Sequence, residues 1–184
     1  MAEYYYTVAS LPMLILGQEP SVSLEYFLEN CRYTMNENDY ETLLTAGLIP
    51  DNASEYPAVV RWQNFERTLR NELAAVRSQK TGIDYDTYRR EGETVTGVAD
   101  AVREASSAAN PEIGEDILDA ARWRFLDELE SSHNFDLTKL IVYYIKLQIS
   151  ERRKMMNEQN GREKYGEIYQ GITDKIHQSY DGEL

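Results

Sequence analysis

Six apolar residues, Val59, Trp62, Phe65, Leu69, Leu73 and Val76, follow one another at steps of three or four. A helix turns once in about 3.6 residues, so this spacing sets all six on one face of a single long helix. Pro57 stands where that helix would start, a position that needs no N–H donor, and Thr81-Gly82 ends it. Arg61, Arg67, Arg70 and Arg77 flank the stripe. The same period recurs in Leu24, Phe27, Leu28 and Cys31 behind an N-cap at Ser23. It recurs again at every fourth residue in Ile113, Ile117, Ala121, Phe125 and Leu129 behind Pro111. Shorter helices are expected from Asn38, as cap, to Leu44 with Gly47 closing, and over the alanine-rich Val98 to Ala109.

From Leu137 to Ile149 only Thr138, Lys139, Lys146 and Gln148 are plainly polar, with Asp136 in the cap position. A helix apolar on several sides must be surrounded by others, which predicts a central one. Beyond it, Asn160-Gly161 marks a stop or kink before a last amphipathic segment carrying Tyr165, Ile168, Tyr169, Ile172 and Ile176. Residues 82–97 are polar, with Gly82, Gly92 and Gly97, and read as an exposed loop or hairpin. Tyr4 to Val8 is open to two readings, a short extended strand or a short helix ending near Pro12. Strand alternation is otherwise almost absent. The expectation is an all-α bundle of about six to seven helices forming one domain over 1–184, with no internal repeat.

Charge narrows the functions available. The chain of 184 residues carries 32 Asp and Glu against 19 Lys and Arg, a net charge of −13. Phosphate backbones and anionic bilayers select for Lys and Arg, so neither nucleic-acid binding nor direct membrane insertion is expected. An acidic field suits a basic protein surface instead, or serves solubility alone. The single cysteine, Cys31, sits in an apolar pattern and reads as a small core residue. Without a disulfide framework a cytoplasmic setting is expected. The apolar run Val8 to Leu16 is interrupted by Pro12 and is too short to span a bilayer.

No phosphate-cradling loop and no nucleophile elbow is present, and no cofactor is expected. Glu130-x-x-His133 and Asp174-x-x-His177 each place a carboxylate and an imidazole on one helix face. Di-iron bundles use such pairs, so a metal-dependent helical enzyme built on Glu130, His133, Asp174 and His177 is an alternative. His133 lies beside Ser132 and Asn134 at a helix end and His177 lies near the C-terminus, which favours surface or capping roles. Tyrosine is abundant, 14 against 4 Phe, and a ring with a polar edge suits partly buried and interface positions. Tyr4, Tyr5 and Tyr6 are candidate partner-binding residues, as are Arg152, Arg153 and Lys154, the densest basic spot. For the latter, salt bridges to acidic neighbours at i±4 are the plainer reading.

The segments Tyr4-Tyr5-Tyr6-Thr7-Val8-Ala9-Ser10-Leu11-Pro12-Met13-Leu14, Ser23 to Cys31, Phe135-Asp136-Leu137, Tyr144-Ile145-Lys146-Leu147 and Glu151-Arg152-Arg153 resemble a small bacterial family encoded among the genes of V-type (A/V-type) ATPases. That family is similar to a reduced form of the C-type component of those ATPases, called d in eukaryotes. The resemblance implies a non-catalytic helical component, peripheral to a membrane complex. Its partners would be the central stalk and the proteolipid ring, with an acidic socket receiving a basic stalk foot. The full C-type component has three similar helical portions, whereas this chain has length for fewer.

Overall fold

A computed structural model describes residues 4–50, 54–82, 84–85, 89–155, 168–170 and 172–173. They form an all-α bundle of seven helices: α1 (Tyr5–Ala9), α2 (Leu24–Thr34), α3 (Glu37–Leu44), α4 (Pro57–Thr81), α5 (Val98–Ser106), α6 (Pro111–Glu130) and α7 (Leu137–Met155). Helical backbone recurs at 168–170 and 172–173, where Ile168, Tyr169 and Ile172 are exposed. Tyr165, Ile176 and the expected stop at Asn160-Gly161 lie outside the described residues.

Helix starts are written in short polar side chains. The Ser23 hydroxyl accepts from Tyr26 N at 3.2 Å, and Asn110 Oδ1 accepts from Ile113 N at 2.8 Å. Asp136 Oδ1 accepts from Lys139 N at 3.1 Å, capping α7 as its position predicts. The cap of α3 is Asn36 rather than Asn38: Asn36 Oδ1 takes the Asp39 amide at 2.9 Å. Asn38 lies inside the first turn, where its carbonyl accepts from Thr42 Oγ1. At the other end of α4, Gly82 adopts φ 73°, a left-handed geometry that only glycine reaches without strain. At the chain's start the helical alternative is the one that forms. α1 is followed by irregular backbone over 12–15, pinned where Tyr143 Oη donates to the Pro12 carbonyl at 3.0 Å.

The core is assembled around α7, which touches α2, α3, α4 and α6. Between Leu137 and Ser150 only Lys139 and Gln148 escape full burial. Phe27 of α2 stacks on Tyr143 and Tyr144 with ring centroids 5.2 and 6.0 Å apart. On the other side Phe65 of α4 stacks on Phe125 of α6 at 4.3 Å. Trp62, Leu69, Leu126, Leu140, Ile141 and Ile145 are fully buried, each contributing about 1.5–3 kcal/mol by leaving water. Trp62 Nε1 donates to the Gly47 carbonyl at 2.9 Å, so its ring is buried without orphaning its N–H.

One expectation shifts. The α6 series Ile113, Ile117, Ala121, Phe125, Leu129 is not the buried face: Ile113 is exposed, the next three are half-buried, and only Leu129 is buried. Strict four-residue steps drift about 40° each around a helix, so the series winds off the core. Leu118, Arg122 and Leu126, with Asp119 and Trp123, occupy it instead. The 82–97 segment is an exposed loop, the first of its two expected forms, and no strand forms among its described residues. It is laced to α4. Asn71 brackets Arg90 through both its backbone groups (2.8 and 3.0 Å), and the Thr68 hydroxyl accepts from Val95 N at 3.1 Å.

Candidate functional site

α4, α6 and α7 meet over a set of buried charges. Glu66 and Asp119 are each 1 % exposed and Arg122 is 4 % exposed. Arg122 grips Glu66 with two parallel bonds, Nε to Oε2 at 2.9 Å and Nη2 to Oε1 at 3.1 Å, and Asp119 Oδ1 with Nη1 at 2.9 Å. Arg70 adds a third donor to Glu66 at 3.0 Å while reaching the Leu48 carbonyl at 3.1 Å. Arg152 donates to Asp119 from α7, and Arg153 bonds Asp116 at 2.6 Å and lies 3.6 Å from Asp119. Burial is the largest single influence on Arg122 and works against its charge. Glu66 and Asp119 together overcome it and hold its pKa above the ordinary arginine value. Each charge is thereby paired, as burial requires.

A second network joins α6 to α7. Lys146, buried, places Nζ 2.6 Å from Asp127 and 2.7 Å from Glu130, and 5.3 Å from the centre of the Trp123 ring. Lys139 bonds the other Glu130 oxygen at 3.0 Å. Glu130 is thus committed to two lysines, and His133 turns away from it to Asp136, with Nδ1 2.5 Å from Oδ2. The helical spacing that suggests a shared ligand pair does not make one, because α6 ends at Glu130 and His133 sits in the corner beyond. Asp174 and His177 lie outside the described residues. Among the described residues no group of three or more His, Cys, Asp or Glu is placed to hold a metal ion.

The expected partner-binding residues divide. Tyr4 is 6 % exposed and structural: its amide donates to the Phe135 carbonyl at 2.8 Å, and its hydroxyl bonds Asp39 and accepts from Asn36 Nδ2 at 2.9 Å. Tyr5 is half-exposed against the Phe135 ring at 4.7 Å, and Tyr6 is 87 % exposed. Met13, Ile15, Tyr26 and Tyr33 are exposed too, so large apolar side chains in water concentrate in the first three dozen residues. Arg152 and Arg153 find their carboxylates on α6 rather than at i±4, and Lys154 pairs with Glu19 at 2.5 Å. That last pair lowers the pKa of Glu19 and raises that of Lys154, through the hydrogen bond first and charge second, but both groups are solvated. Cys31 is fully buried, and desolvation pushes its thiol up to about 12, an inert core residue.

Glu66, Asp119 and Arg122 are not among the residues that the sequence marks as candidates, where the arginines of α4 stand as flanks. A signal is present nonetheless. Glu66 falls between Trp62 and Leu69 on the apolar stripe itself, and Arg122 falls midway between Leu118 and Leu126. Charges at core positions of two helices mark a buried pair.

No helix among the described residues is long and apolar enough to cross a membrane. No curated protein and no solved structure matches the chain. Residues 92–176, which span α5, α6 and α7 and supply Asp119, Arg122 and Arg152, are similar to a family described as protein of unknown function, DUF2764.

Proposed function

We propose that this chain is a non-catalytic component or accessory adaptor of a bacterial V-type ATPase, linking the central stalk to the proteolipid ring as the C-type component does. One observation carries the reading. The segments that resemble the ATPase-associated family are scattered along the sequence, yet they pack together. Tyr4 bonds Phe135, Phe27 stacks on Tyr144, and Pro12 and Phe27 both meet Tyr143, the residue that precedes the Tyr144 segment. Apart from Glu151 to Arg153, whose arginines pair with α6, the resembling residues therefore build one substructure, α1, α2 and the first half of α7. Its exposed side chains include Tyr5, Tyr6, Met13 and Tyr26.

A rigid helical body with exposed aromatic side chains suits protein docking, where tyrosine anchors dominate the binding energy. Buried charge supports the same reading: the carboxylates and guanidiniums of the interior hold helices to one another. Torque transmission needs such stiffness more than it needs a reactive group.

The test is co-purification. Tagged full-length protein, released in gentle detergent from cells that make the V-type ATPase, should bring down stalk or proteolipid proteins. A Tyr6→Asp/Met13→Asp variant with an unchanged melting temperature should lose most of that material. Repeated recovery of the tagged protein without any part of the ATPase overturns the proposal.

A further inference from the structure

Beside the buried charges a cleft of about 520 Å³ opens between α4, α6, the last turns of α7 and the 89–97 segment. A volume of this order is that of small-molecule sites, roughly 300–1,000 Å³. Five arginines line it, Arg70, Arg77, Arg90, Arg122 and Arg152, against two carboxylates, Glu66 and Glu115. In a chain with a net charge of −13 this is a local inversion of sign. Leu73, Ala74 and Leu118 give it an apolar wall.

The arginines differ in their commitments. Arg122 and Arg70 are spoken for by Glu66, which fixes the floor. Arg77 and Arg90 are exposed, and among the described residues neither has an ion-pair partner. Arg90 is nonetheless anchored, because Asn71 holds its backbone on both sides at 2.8 and 3.0 Å. Arg152 Nε is buried without a hydrogen-bond partner, the one such side-chain atom among the described residues. A buried guanidinium N–H left unmade is costly; the outer Nη2 of Arg152 bonds Asp119 and lies 3.7 Å from Glu115, so Arg152 adds positive charge at the cleft's edge.

Size selects the class of anion. Arg70 and Arg77, seven residues apart on α4, both line the cleft, which therefore runs about 10 Å along the helix axis, longer than one phosphate. We propose that the cleft binds a small molecule bearing a di- or triphosphate, with the phosphate chain between Arg77, Arg90 and Arg152 and any organic body on the Leu73–Leu118 wall. Arginine forks match phosphate oxygens in pairs. This site is independent of the ATPase-adaptor reading.

Isothermal titration of the full chain with sodium tripolyphosphate, orthophosphate and a nucleoside triphosphate tests it. Tripolyphosphate should bind at least about tenfold more tightly than orthophosphate, and Arg77→Gln and Arg90→Gln should each weaken it about tenfold, the worth of a charge-assisted pair. Arg124→Gln, on the exposed side of α6, should leave it unchanged. Tighter binding of the nucleotide places a base on the apolar wall, and equal binding assigns the cleft to the phosphate chain alone. Both uphold the proposal. It is overturned by absence of binding, by equal affinity for orthophosphate and tripolyphosphate, or by equal loss in the Arg124→Gln control.

Discussion

Arg122 shows how much a single side chain can bear in this bundle. It satisfies both carboxylates buried at the α4–α6 contact, with Arg70 and Arg152 as auxiliaries. Arg122→Met removes the charge while keeping most of the apolar stem, and leaves Glu66 and Asp119 short of their principal donor. The expected cost is about 3–5 kcal/mol, read as a fall in the urea midpoint. Arg103→Gln removes an ion pair whose members are 73 % and 77 % exposed, and should leave the midpoint where it was. The contrast bears on legibility. Ser23, Pro57 and Asp136 act through neighbours in sequence, so their roles as caps and helix starters can be read directly. Glu66 and Arg122 act on each other across two helices, and no local pattern names the partner.

Among the elements, α5 is the one whose position depends most on a missing side chain. It packs against both α4 and α6, and a Cβ on Gly114 would meet the Ala105 carbonyl oxygen at 2.9 Å. That atom is backbone and cannot turn aside. Gly114→Ala gains roughly 1 kcal/mol of helix propensity yet must push α5 off α6, costing about 1–3 kcal/mol by overpacking. Net destabilisation is expected, measured as a lower melting temperature; a rise would show that α5 sits loosely. The stripe of α4 is legible in its sequence, because three- and four-residue steps keep to one face. That of α6 is displaced by one position from its most regular apolar series, because a strict four-residue series drifts and because the true face carries an arginine and an aspartate. The 82–97 segment is legible as an exposed loop because its sequence is polar, but its anchoring is not. Its bonds to Asn71 and Thr68 are made by its backbone, which composition does not advertise.

For the molecule as a whole, burial of neutral acids sets an alkaline limit. Cys31 is moved from 9.0 to about 12 and Tyr143 from 10.0 to about 12, in both cases by desolvation. Tyr144 is raised by burial and then by the charge of Tyr40. Each group holds its proton more tightly folded than unfolded. The unfolded chain therefore loses protons first as pH rises, and stability falls wherever it does. Stability from these groups is complete below about pH 9 and declines toward pH 12. Melting temperatures across roughly pH 7–11 should bend downward near pH 9. A Cys31→Ala variant, less stable at neutral pH, should fall less steeply between about pH 9 and 10; an identical slope would remove Cys31 from the account.

The amino-acid order alone determined the all-helical class, most helix limits and the central place of α7. These follow from periodicity, caps and the density of apolar residues, all properties of one helix at a time. Tertiary structure decided which charges are interior, that Glu130 belongs to Lys139 and Lys146 rather than to His133, and that five arginines share one cleft. Those are relations between helices far apart in the chain. A periodic pattern gives the face a helix buries, but the identity of what it is buried against exists only once the helices pack.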